Sequence, residues 1–195
     1  RLREIADTHN VVLIADEVIT GFGRTGEYFA PTNWGVQPDI TAVAKSITSG
    51  YAPLGAAIAT KKIADAFTGG PNETFTHLIT FGGHPISAAA ALANLRIFAR
   101  EDLVGNSRRM GTYLFEQLQS LFTHSLVGDV RGGLGLLAAV ELVADRKNKT
   151  PFPAAAGLAQ KLPKMLFDRN MVSFRAGDVI SICPPLSINN FLKSG

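Results

Sequence analysis

A chain of 195 residues, 46% hydrophobic and 18% charged, has the makeup of a folded α/β protein, which excludes a disordered or fibrous one. The net charge of +3 is small and the Lys and Arg residues are dispersed, which argues against a nucleic-acid surface despite a pI near 9.2. No apolar run approaches the roughly 18 residues that span a bilayer, and Arg1-Leu2-Arg3-Glu4 does not open a signal peptide, so the default expectation is a cytoplasmic protein without a membrane partner.

Leu2 to His9 carries apolar residues at helical spacing and leads into Val11-Val12-Leu13-Ile14-Ala15, a continuous apolar run that stops at Asp16-Glu17. Such a run reads as a strand of a parallel sheet buried on both faces. The chain thus opens on a helix that already belongs to a βαβ unit, which suggests an N-terminus lacking earlier elements. A Gly- and aromatic-rich loop from Gly21 to Trp34 precedes Pro38-Asp39 and a second buried strand, Ile40-Thr41-Ala42-Val43-Ala44, ending at Lys45. Leu54 to Thr60 reads as a third strand, and Lys61 to Phe67 as a short helix before a Gly-Gly-Pro-Asn break.

Helical patterns follow at Ala88 to Arg100 and at Ser107 to Phe122, the latter with Leu114, Leu118 and Leu121 on one face; the turn Glu101 to Asn106 marks a domain boundary between residues 1–104 and 105–195. In the second part, apolar runs at Leu136 to Leu142 and Val179 to Ile182 give strands of a small α+β domain. Pro163 interrupts the helical stretch Ala154 to Asn170 and, in a helix interior, costs about 3 kcal/mol. The single cysteine, Cys183, reads as a small apolar core residue, and Lys61-Lys62 and Arg146-Lys147-Asn148-Lys149 as solvated charges.

Open parallel sheets bind ligands beyond the carboxyl ends of their strands, where both Asp16-Glu17 and Lys45 fall. A lysine following a run of small and apolar residues is partly desolvated, which favours the neutral, nucleophilic amine; the alternative is a strand-end lysine that snorkels to solvent. Asp16 suits a helix cap, a metal ligand or a carboxylate that holds a cationic ring nitrogen, and position alone does not choose. Asp16 and Glu17 point to opposite faces of a strand and do not readily share one metal ion, so no metal site is expected.

The stretch Leu13-Ile14-Ala15-Asp16-Glu17-Val18-Ile19-Thr20-Gly21-Phe22-Gly23-Arg24-Thr25-Gly26 resembles the cofactor-aspartate signature of the class III aminotransferases, pyridoxal-phosphate enzymes of fold type I. Pro38-Asp39-Ile40, Ala44-Lys45-Ser46, Gly50-Tyr51-Ala52-Pro53-Leu54-Gly55, Thr80-Phe81-Gly82-Gly83-His84-Pro85, Val130-Arg131-Gly132 and Pro184-Pro185-Leu186 are similar to further family motifs, in the family's order. The resemblance implies a fold type I α/β architecture: part of a large domain with a mostly parallel sheet, then a small C-terminal α+β domain. It also implies pyridoxal 5'-phosphate as cofactor and a homodimer as the working form.

By that resemblance Lys45 binds the cofactor aldehyde and then shuttles the proton between substrate and cofactor, while Asp16 keeps the ring nitrogen protonated. Val18 packs against the ring, with ordinary core as its alternative reading. Thr80 donates to the phosphate of the neighbouring subunit's cofactor, with a plain turn residue as its alternative. Ornithine-type members carry an arginine where this chain has Ser181. Arg175 instead resembles the mobile arginine that binds a substrate carboxylate in amine and ω-amino-acid:pyruvate aminotransferases, with a surface arginine as its alternative. The implied reaction moves an amino group from an amine or ω-amino acid to a 2-oxo acid such as pyruvate. An aminomutase or a decarboxylase of the same fold shares Lys45 and Asp16. The family's phosphate loop and ring-stacking aromatic are expected upstream of Arg1, and Ile188-Asn189-Asn190 should lead into a final helix but the sequence stops at Phe191-Leu192-Lys193-Ser194-Gly195, which leaves an inactive fragment as a further alternative.

Overall fold

The computed structural model describes residues 1–173 and 175–189, without the side chains of Ala159, Arg175 and Ala176. The chain divides into two compact units, Arg1–Val104 and Gly105–Gly195.

In the first unit, helix α1 (Leu2–Thr8) ends at Asn10, whose left-handed backbone (φ 51°) turns the chain toward strand β1 (Ile14–Asp16). Strand β2 (Ile40–Val43) runs parallel to β1, and β3 (Ala56–Ala59) closes the order β1-β2-β3 antiparallel to β2. The mostly parallel sheet expected therefore holds for the β1–β2 pair, while β3 returns beside β2 through the short turn after Lys45. Asp39 ties the sheet together. Its carboxylate accepts the Leu13 N–H at 2.8 Å and the Arg3 guanidinium at 2.8 Å, its own N–H donates to Leu13 O, and its carbonyl accepts the Thr60 N–H. These bonds, the Leu13 N–H first and Arg3 second, hold the Asp39 carboxyl below the usual carboxylate range, while Asp39 and then Asp7 raise the Arg3 guanidinium.

The strand positions are right but their environment is not the expected one. Ile14 is 60% exposed, Val11 and Val12 are exposed as well, and β3 is open along its length. The pattern encodes burial on both faces, and this unit's own elements cover little of it; Val43 alone of the strand residues is fully buried. Helix α2 (Lys61–Asp65) stops short of Phe67, and α3 (Pro85–Arg100) starts a turn earlier than its alanine run because Pro85 takes the first helical position. Along α3 the buried stripe is Ser87, Ala91 and Phe98.

Helix α4 (Leu103–Gln119) shortens the expected boundary turn to Glu101-Asp102, with Asp102 left-handed at φ 47°. The second unit's sheet has the order β4-β5-β7-β6, all antiparallel, from β4 (Val127–Leu134), β5 (Leu137–Leu142), β6 (Arg175–Ala176) and β7 (Val179–Ile182). Val127, Val130 and Val140 form its buried centre, packed by Phe115, Leu118, Leu121 and Phe122; Phe115 replaces the predicted Leu114 in that contact. Gly111 lets α4 approach the β4–β5 turn, where an added Cβ would meet Gly135 O at 2.1 Å. Helix α5 (Leu158–Phe167) runs through Pro163, so the break in this stretch falls at Gly157 (φ 66°) and not at the proline.

One further expectation is corrected and another refined. Cys183 is exposed, because it follows the last residue of β7 and leaves the sheet. Arg146 is exposed, as expected of a solvated charge, but it is also tied down: its guanidinium donates to Val127 O at 2.7 Å, Phe122 O at 3.0 Å and His124 O, and lies over the Phe122 ring at 5.6 Å. Among the described residues no helix is long and apolar enough to cross a membrane.

Candidate active site

The parallel register sets Asp16 beside Ala42, and the Glu17 N–H donates to Ala42 O at 2.9 Å. Lys45 follows Ala42 by three residues, so Asp16 and Lys45 leave the carboxyl ends of neighbouring parallel strands. Asp16 is exposed; one of its oxygens accepts the Val18 N–H at 3.1 Å, and the other has no partner among the described residues. The Lys45 side chain is likewise exposed and unpartnered among the described residues. The expected desolvation of Lys45 is absent in this chain, because the open faces of β1–β3 extend to the strand ends.

Val18 lies in the turn after β1 and is half-buried; its place near Asp16 comes from the Asx-type turn closed on the Asp16 carboxylate, not from strand alternation. Glu17 goes the other way. It is 3% exposed and accepts the Ala30 N–H at 2.9 Å, so the two adjacent carboxylates diverge. Glu17 thereby anchors the Gly-rich loop, whose two limbs bond through Phe22 N–H to Tyr28 O and Gly23 N–H to Glu27 O, with Phe22 and Phe29 packed edge to face at 5.7 Å.

At Lys45 the backbone takes the left-handed region (φ 44°), as it does at Ser49 (φ 51°). A side chain there costs about 1–3 kcal/mol and persists only where surroundings enforce it. The enforcing groups are Thr48, 2% exposed and donating to Ala52 O at 2.6 Å, and Asn94 of α3, which donates to Ser46 O and Ile47 O and accepts from Ser49 Oγ. Sequence reading missed Glu17 and Asn94. The available signal was a lone carboxamide on the inner stripe of an alanine-rich helix, three residues after the buried Ala91 and four before the buried Phe98.

Thr80 stands in an exposed turn that leads into α3, closed by Gly82 N–H to Ile79 O at 3.0 Å and opened by Gly83 at φ 68°. No hydrogen bond among the described residues joins it to Asp16 or Lys45. Arg175 begins β6, paired with Ile180 of β7; its side chain lies outside the described residues. Ser181 pairs with Ala139 in the centre of the same sheet. Among the described residues no group of three or more His, Cys, Asp or Glu is placed to hold a metal ion.

A family model described as "Aminotransferase class-III" matches residues 1–192. The chain is 41% identical to a taurine–pyruvate aminotransferase of Bilophila wadsworthia, covering 95% of this chain and 42% of that protein. It is 37% identical to a putrescine–pyruvate aminotransferase of Pseudomonas aeruginosa, covering 97% of this chain and 41% of that protein. Among solved structures, an (S)-enantioselective ω-transaminase from Thermomicrobium roseum superposes with a TM-score of 0.93 at 40% identity, over 97% of this chain and 42% of that one. A PLP-bound amine transaminase from an uncultivated Pseudomonas species gives 0.92 at 42% identity, over 98% of this chain and 44% of that one.

The chain belongs to the class III aminotransferases, with the fold of the fold type I enzymes. It spans about two fifths of the length of the curated relatives it matches.

Proposed function

We propose that the protein carrying this chain is a pyridoxal-phosphate-dependent aminotransferase that moves an amino group from an amine or ω-amino acid to a 2-oxo acid such as pyruvate. The observation that carries this reading is the pair Asp16 and Lys45, brought to the ends of adjacent parallel strands with an unshared carboxylate oxygen and an unpartnered amine. Those are the two groups that an aldehyde on a pyridine ring requires: an amine to bond the aldehyde, and an anion to pair with the ring nitrogen. When bound, the cofactor supplies an electron sink for the carbon that loses its proton. Lys45 Nζ holds the cofactor and moves that proton, and the Asp16 carboxylate keeps the ring nitrogen protonated. Val18, beside Asp16 through its own N–H, offers an apolar contact to the ring.

Thr80, exposed with its hydroxyl in a turn, suits an anion contributed from outside this chain, in keeping with a homodimer that completes the phosphate site. The pyruvate-dependent relatives and the ω-transaminase neighbours favour a small amine or ω-amino acid as donor. Arg175 is assigned to the substrate carboxylate on the same ground. A cytoplasmic location is in keeping with these substrates.

The test adds pyridoxal phosphate to this chain, to the longest natural form that carries it, and to the Lys45→Ala variant of each, then reduces with borohydride and maps the label. A visible absorption band with the label on Lys45 is expected in the longest form. A specific label on another lysine, or no label in that form, overturns the assignment.

A further inference from the structure

We infer that Asn94 is a positioning residue for the reaction: it clamps the turn after β2 in the backbone conformation that aims the Lys45 amine. This rests on the reading of Lys45 as the cofactor-binding lysine. The turn has two left-handed residues bearing side chains, Lys45 and Ser49, and the polar groups between them are the ones Asn94 engages. Its Nδ2 donates to Ser46 O at 2.8 Å and to Ile47 O at 3.1 Å, and its Oδ1 accepts from Ser49 Oγ at 2.9 Å. The three contacts fix the carboxamide's orientation, since the flipped group would set its oxygen against two carbonyls.

The turn is only partly held from within, by the Thr48 hydroxyl on Ala52 O. Its own backbone bonds, Ile47 N–H to Ala44 O, Thr48 N–H to Lys45 O and Ser49 N–H to Ser46 O, are long at 3.2, 3.2 and 3.3 Å. Asn94 reaches it from 45 to 48 residues away in sequence, so the restraint comes from packing of α3 and not from local preference. The side chain is half-buried on the stripe that also carries Ser87, Ala91 and Phe98, and an apolar residue there would leave Ser46 O with only its long bond from Ser49 N–H and would take the Asn94 partner from Ile47 O and the Ser49 hydroxyl. Freed of the clamp, Lys45 relaxes toward right-handed backbone, which swings its Cα–Cβ bond and carries Nζ away from its working position.

The experiment uses the longest natural form that carries this chain and compares the parent with Asn94→Leu, Asn94→Gln and Ser49→Ala. Backbone carbon shifts of Lys45 to Ser49, recorded without cofactor, report the turn. Borohydride-trapped pyridoxal phosphate on Lys45, measured against Lys61 and Lys62 in the same sample, reports the amine. Asn94→Leu is expected to shift the Lys45 resonances and to lower trapping at Lys45 at least about tenfold, with unchanged labelling of Lys61 and Lys62. Ser49→Ala, which removes one bond only, produces a smaller change in the same direction and carries the test where Asn94→Leu does not fold. Asn94→Gln, which keeps the carboxamide, restores part of the trapping. Unaltered Lys45 shifts or parent-level trapping in Asn94→Leu, or in Ser49→Ala where that variant carries the test, overturns the positioning role, as does an equal loss at all three lysines. Absence of trapping at Lys45 in the parent overturns the Lys45 assignment itself and this inference with it.

Discussion

The two units spend their apolar residues differently. In the second, helix α4 and the turn that follows it lay Phe115, Leu118, Leu121 and Phe122 on Val127, Val130 and Val140, so an antiparallel sheet gains a covered face from its own chain. In the first, β1–β3 carry an equally apolar sequence whose faces stay open, and order comes from polar ties: Asp39 across the strands, Glu17 under the Gly-rich loop, Asn94 and Thr48 around Lys45. The contrast separates stability from chemistry. Side chains that could react stand in the unit whose geometry is held by hydrogen bonds, and each of those bonds is directional where apolar packing is not.

The comparison breaks most visibly at Lys45. Lys45→Ala should abolish transamination in the longest natural form, a loss of at least about 10²–10⁴-fold from proton transfer alone, while the thermal midpoint of this chain without cofactor stays within error because the side chain is exposed and unpartnered among the described residues. Activity assays beside thermal unfolding check both halves. Next comes Val140→Ala. The residue is 4% exposed, and losing two buried methyl groups plus the cavity left behind should destabilise the second unit by about 2 kcal/mol, read from urea titration.

Asp39→Asn sharpens the other side. The folded carboxyl lies below its unfolded value, so its contribution is present above about pH 4 and is lost as pH falls through the folded value. The variant should therefore be less stable than the parent at neutral pH, and the gap should close in acid; a gap that widens below pH 4 would contradict the assignment. The smallest effect belongs to Ile14→Ser: at 60% exposure in this chain it should change stability by less than about 0.5 kcal/mol, where the same substitution in a strand buried on both faces would cost several times more.

The sequence by itself determined the family and most of the elements, and it marked Asp16 and Lys45 as candidate site residues. Those depend on local information: a strand reads as a short apolar run, and a motif as residue types at fixed spacing. Asp16 and Lys45 stood out as candidates because each ends such a run, and their proposed roles, like those of Arg175 and Thr80, come from the family motifs. Tertiary structure decided what the pattern could not carry. Whether an apolar strand is covered depends on partners far along the chain, which is why β1 reads as buried and stands open. Cys183 looks like a core residue, yet the fold puts it in solvent because a strand end redirects it, and Arg146, exposed as its sequence suggests, is tied to three carbonyls that no local pattern marks. The left-handed backbone at Lys45 and the carboxamide of Asn94 that secures it belong to the same class: the bonds span 45 to 48 residues, and no local propensity encodes a contact at that separation.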